Sequence, residues 1–156
     1  MYNEFVSLKL LSIAETRFAS TIVMFKRFKL VKRGLQAMVT SDKWTLYKEG
    51  NPGMATTVRN LILDEVWWLK VDKILAITDP IYEMLRIADT DKPTLHLIYE
   101  MWDTMIEKVR KAVYQVEMKD DGEDVPLYNV MHLVLNQRWA KSSTPLHCLA
   151  RALTPR

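Results

Sequence analysis

IYEMWDTMIEKVRKAVYQV, from Ile98 to Val116, is the most regular stretch of the chain. Ile98, Trp102, Met105, Val109, Val113 and Val116 recur at intervals of three and four, the period at which side chains return to one face of an α-helix. Glu107 and Lys111 stand four apart on the solvent side, where opposite charges support adjacent turns. The spacing predicts a helix of roughly six turns with one buried stripe.

The same period continues on both sides. Downstream, an acidic loop from Lys119 to Asp124 precedes a helix opened by Pro126 and carried by Leu127, Val130, Met131, Val134 and Leu135. A short helix follows Pro145, with Leu146, Leu149, Ala150 and Leu153. Upstream, Asp89 to Pro93 is a break, and a long helical pattern from Asp64 to Ile87 contains Pro80. Proline lacks the donor for the internal hydrogen bond and clashes with the preceding turn, so two helices meeting at Thr78 to Pro80 are expected. Pro80 would open the second, with Ile81, Met84, Leu85 and Ala88 facing inward.

Asn51, Pro52 and Gly53 read as a loop, and the pattern is helical again from Met54 through Val58, Leu61 and Ile62. Earlier, Thr16 is the expected N-cap of a helix whose inner face is Phe18, Ile22, Phe25, Phe28 and Val31. That helix should end near Gly34, in a segment read as a basic helix over 17–40. Val6, Leu8 and Leu10 alternate with Ser7 and Lys9, the pattern of a short strand at Val6 to Leu11 or of an extended lead-in over 1–16. The fold class expected is therefore all-α: a bundle of about six helices, read as a single domain over 1–156 whose main bundle covers 54–153.

Composition agrees with this class. The 156 residues are 49% hydrophobic and include only 4 Gly and 6 Pro, enough apolar material for a core and too few turn residues for a sandwich or barrel. The single cysteine, Cys148, excludes an internal disulfide and a cysteine zinc site. No run of 18 apolar residues occurs, since Lys70, Asp72, Lys73, Asp79, Glu83 and Arg86 interrupt the longest candidate, so no membrane span is expected.

The net charge of +3 selects no partner, but its distribution is uneven. Residues 1–50 carry 9 basic and 4 acidic side chains, whereas 51–100 carry 5 and 8. Lys26, Arg27, Lys29, Lys32 and Arg33 cluster with no acid between Thr16 and Ser41. These five are the candidates for phosphate contact, for targeting, or simply for the wet face of an amphipathic helix.

Elsewhere the chemistry is sparse. His96, His132 and His147 lack metal-ligand spacing and read as structural or surface histidines. Cys148 follows His147 directly, and neighbours on a helix diverge by about 100°, a poor geometry for a nucleophile and its base. Acid pairs such as Asp64/Glu65 and Asp120/Asp121 have no third partner and read as helix-end and loop carboxylates. Trp67, Trp68, Trp102 and Trp139 read as packing residues. Because Trp67 and Trp68 diverge on a helix, one of them is the candidate to face outward at a protein interface. No catalytic residue, metal site or cofactor is expected.

Several ordered blocks resemble plant hAT-superfamily transposase-like proteins. These are ETRFAS at Glu15 to Ser20, followed by TIVMFKRFKLVKRGLQAMV, then DEVWWLKVDKIL at Asp64 to Leu75. The long block from Thr78 to Val109 and RWAKSSTPLHCLARALTPR at Arg138 to Arg156 complete the set. Two positions depart from the last block's usual pattern: Thr154 stands where Asn is expected, and Arg151 where His is frequent.

The resemblance implies the helical insertion of an RNase H-like transposase domain, together with the helix preceding it. The family's three metal-holding carboxylates would lie outside this chain, so none is carried onto its residues. On this reading the chain is a truncated, transposon-derived fragment whose cut edges expose apolar surface. The function expected is that of a non-catalytic protein–protein interaction module that binds itself, as a homodimer, or an unidentified protein. The alternatives are a residual DNA-binding module that uses the basic 26–33 helix for weak nucleic-acid contact, and a mitochondrially associated regulator or toxic factor. A nuclear and cytoplasmic location is expected, with the mitochondrion as the alternative.

Overall fold

The computed structural model describes residues 1–13, 19–47 and 52–154. Among them the chain is all-α. Its helices are α1 (Tyr2–Phe5), α2 (Ser20–Thr40), α3 (Asp42–Thr45), α4 (Pro52–Leu63), α5 (Glu65–Ala88), α6 (Ile98–Glu117), α7 (Pro126–Ser142) and α8 (Pro145–Leu153). A 3₁₀ turn, Leu95–Leu97, leads into α6. Two of these helices, α1 and α3, are single turns, leaving six longer ones. The proposed cap Thr16 and the inner-face residue Phe18 lie outside the described residues, as do Arg17 and Asn51.

The residues divide into two compact units, Met1–Leu75 and Ala76–Arg156, each with its own buried cluster. In the first, Val31, Leu35, Met38 and Val39 of α2 pack with Val6 and Trp68. In the second, Met105, Val109 and Val113 of α6 pack with Met84, Val125 and Leu135. The α6 stripe thus forms as its spacing predicts: Val109 and Val113 are fully buried, and Lys111 pairs with Glu107 at 3.4 Å.

Four local expectations fail, each for a physical reason. Val6 to Leu11 forms no strand among the described residues, because alternation alone gives no hydrogen-bonding partner. The segment instead opens with the α1 turn, in which the Val6 N–H donates to the Tyr2 carbonyl at 3.0 Å, and Val6 enters the α2 core. Helix α2 also runs past Gly34 to Thr40, with its buried face reaching Val39. Glycine here serves close approach rather than termination: a Cβ on Gly34 would lie 2.5 Å from Val6 Cγ2 and 2.6 Å from the Phe5 carbonyl oxygen.

The third failure is at Pro80, which lies inside α5 rather than between two helices. A proline costs roughly 3 kcal/mol in a helix interior. It is tolerated here because the turns on either side bury Trp68, Val71 and Leu75 in the first unit and Met84 in the second. Pro52 and Gly53 likewise belong to the first turn of α4 rather than to a loop. Proline fits there because first-turn N–H groups have no helical acceptor.

Candidate interaction surfaces

The basic cluster lies on α2, but much of its charge is engaged within the first unit. Lys29 pairs with Asp72 at 2.8 Å, and Lys32 donates to Glu65 at 2.6 Å. The Lys32 ammonium also lies 5.2 Å over the Trp68 ring, a cation–π contact. Gln36, one turn along α2, donates to the other Glu65 oxygen at 3.0 Å. These bonds hold the Glu65 carboxyl below its ordinary range, the Lys32 hydrogen bond contributing most. Arg27 and Arg33 have no ion-pair partner among the described residues, and Lys26 is half-buried. The five cations therefore do not form one open patch: α2 uses two of them to hold the start of α5.

The two adjacent tryptophans do diverge, but neither stands fully outward. Trp68 is 2% exposed, and its indole N–H donates to the Ile62 carbonyl at 2.8 Å. That burial removes Trp68 from the interface candidates, because its ring completes the α2 core. Trp67 is half-buried, edge-on to Trp68 at 4.7 Å and to Phe28 at 6.3 Å. Together these rings wall an apolar cavity of about 350 Å³ that also touches Leu35, Met38 and Ile62.

In the second unit, aromatic packing joins α6, α7 and α8. Trp139 stacks on Trp102 at 4.9 Å and meets Tyr99 edge-on at 5.0 Å. The Tyr99 hydroxyl and Cys148 thiol lie 2.8 Å apart, and this hydrogen bond, with some burial, raises the Tyr99 phenol above its usual value. Arg151 lies over the Tyr99 ring at 5.8 Å and reaches Glu100 at 3.6 Å. His147 is structural: its Nδ1 accepts the Thr144 backbone N–H at 3.1 Å, capping α8. His132 stacks on Tyr128. Among the described residues no group of three or more His, Cys, Asp or Glu is placed to hold a metal ion.

The acidic loop is tied to α6. The Arg110 guanidinium bridges Glu107 and Asp121, both at 3.0 Å, and Lys119 meets Glu123 at 2.6 Å. Tyr114 donates to the Glu123 carbonyl. Asn129 of α7 donates to the Asp124 carboxylate at 2.7 Å, fixing the loop to the start of that helix.

The feature that remains open is apolar. Helix α7 carries hydrophobic residues around most of its circumference. One side, with Tyr128, Met131, Leu135 and Trp139, packs within the second unit. The other leaves Val130 at 61%, Leu133 at 58% and Val134 at 47% exposed, with Leu127 also exposed. On α8, Leu146, Leu149 and Leu153 are more than half exposed. Scattered exposed leucines are ordinary, but apolar side chains repeated along one helix mark a contact surface. Spacing alone does not single out this face, because it is as regular as that of a buried one. No family model, curated protein or solved structure matches this chain.

Proposed function

We propose that this chain is a non-catalytic protein–protein interaction module that self-associates, the apolar helix faces of its second unit forming the contact. The observation that carries the reading is the open side of α7, where Leu127, Val130 and Val134 stand in water on a helix whose opposite side is packed. Apolar side chains repeated along the exposed side of a helix that is packed on its other side are stabilised when a partner covers them. Descent from a plant hAT-type transposase, read from the sequence blocks above, is part of the same proposal.

The experiment is sedimentation equilibrium of the full chain over concentrations from about one to a few hundred micromolar, at low and high salt. Reversible self-association that is nearly indifferent to salt is the expected result. A strict monomer throughout overturns the reading. Phosphate contact by Arg27 and Arg33 is the rival, favoured by their lack of ion-pair partners among the described residues. It calls for binding to a DNA duplex that falls steeply with salt.

For location we propose the nucleus and cytoplasm, with mitochondrial import as the alternative carried by the basic segment of α2. No described helix is long and apolar enough to cross a membrane. Changing Lys26, Lys29, Lys32 and Arg33 to Gln and imaging both chains separates the two. Mitochondrial signal that depends on those four residues overturns the proposal.

A further inference from the structure

Resting on the self-association reading, we infer that the occupant of the open α7 face is a second copy of α7, running antiparallel about a two-fold axis beside Val130. Leu127, Val130, Val134, Gln137 and Lys141 succeed one another at intervals of three, four, three and four, and all five are exposed. That is the spacing of a helix–helix seam rather than of a broad core face. Its first three positions are apolar and its last two polar, so the greasy half lies toward the N-terminal end.

Charge sets the direction. Helix α7 contains no Asp or Glu, and Arg138 and Lys141 stand near its C-terminal end. Its N-terminal end is preceded by Asp120, Asp121, Glu123 and Asp124. A parallel copy would bring like charges together at both ends. An antiparallel copy centred beside Val130 sets Val134 against the other copy's Leu127 and carries Arg138 and Lys141 toward its acidic loop. The helix macrodipoles favour the same arrangement. Asp120 is the exposed acid that would complete that complementarity: its carboxylate reaches Lys119 through charge alone, whereas Asp121, Glu123 and Asp124 are hydrogen-bonded by Arg110, Lys119 and Asn129.

The area fits a reversible dimer. The exposed portions of Leu127, Val130, Leu133 and Val134 amount to on the order of 400 Å² per copy. With the flanking Arg138 and Lys141 side chains, two copies reach about 1,000 Å² in total, the lower bound for a specific contact. A dissociation constant on the order of micromolar to tens of micromolar is expected. A two-fold contact of this kind uses the same patch on both copies and closes on itself, giving dimers rather than filaments.

The test uses the full chain with Cys148→Ser, adding Leu127→Cys or Val134→Cys. Under mild oxidation, the antiparallel seam crosslinks an equimolar mixture of the two variants and leaves each alone uncrosslinked. Crosslinking of either variant by itself shows a parallel seam and overturns the inference. In parallel, Val134→Glu should weaken the dimer at least about tenfold, with an unchanged circular dichroism spectrum. Asp120→Lys and Lys141→Asp should each weaken it about two- to fivefold, and their combination should restore it. A dimer that survives Val134→Glu and forms no mixed crosslink places the contact elsewhere, overturning the inference while self-association stands. A monomeric unsubstituted chain overturns both.

Discussion

Lys32 and Glu65, thirty-three residues apart in sequence, meet at 2.6 Å with the lysine ammonium lying over Trp68. A residue from the basic cluster thus joins two helices, through a carboxylate that Gln36 also holds. The consequence is a dependence on pH. Glu65 has a folded-state pKa below its usual value, so its stabilising share is present above the unfolded value and lost as pH falls through the folded one.

Glu65→Gln should therefore lower stability at neutral pH and make the acid limb shallower. Thermal melts between about pH 6 and pH 3 check this, with the variant losing less on acidification than the unsubstituted chain. Parallel curves for the two would show that the Lys32–Glu65 contact contributes nothing.

Gly34→Ala should destabilise the first unit by about 1–3 kcal/mol, although alanine is the better helix former. The added methyl meets a backbone carbonyl, which cannot rotate away as a side chain can. Adding Val6→Ala relieves only one of the two contacts and leaves Phe5, so urea titration should find little rescue. A neutral or stabilising Gly34→Ala would show that α1 does not lie against α2.

Pro80→Ala should stabilise the chain by about 1–3 kcal/mol, because the new N–H can bond to the Ala76 carbonyl and the ring's clash with that turn disappears. A rise in melting temperature and in helical ellipticity is expected. A fall in both would restore the two-helix reading of Thr78 to Pro80.

Trp68→Ala should cost about 3–5 kcal/mol, the range for emptying a large aromatic site, whereas Trp68→Phe should cost less and mainly orphan the Ile62 carbonyl. Oligomeric state should follow folding in both variants and show no separate defect. Folded, monomeric Trp68→Phe would place Trp68 in the contact after all.

Periodicity read well wherever one helix face alone is covered. Met105, Val109 and Val113 were legible because their stripe has a charged reverse, and the openings of α7 and α8 were legible because proline favours the first turn. It failed at Gly34 and Pro80, where a local rule about breaking helices met tertiary packing the rule does not contain. The cation cluster on α2 was visible as composition. Its engagement was not, since Asp72 and Glu65 lie more than thirty residues away. Nor could spacing tell Val134, which faces water, from Leu135, which is buried, because α7 is apolar on both sides.

The meeting of Gly34 with Val6 also bears on the order in which the protein takes shape. Val6 is synthesised before the helix that receives it, so its side chain must wait for α2 to follow. The greasy inner flank of α2 must also wait for Trp68, so the first unit closes only once α5 has followed. An interval of exposed apolar surface during translation is the cost of drawing one core from both ends of a seventy-five-residue unit.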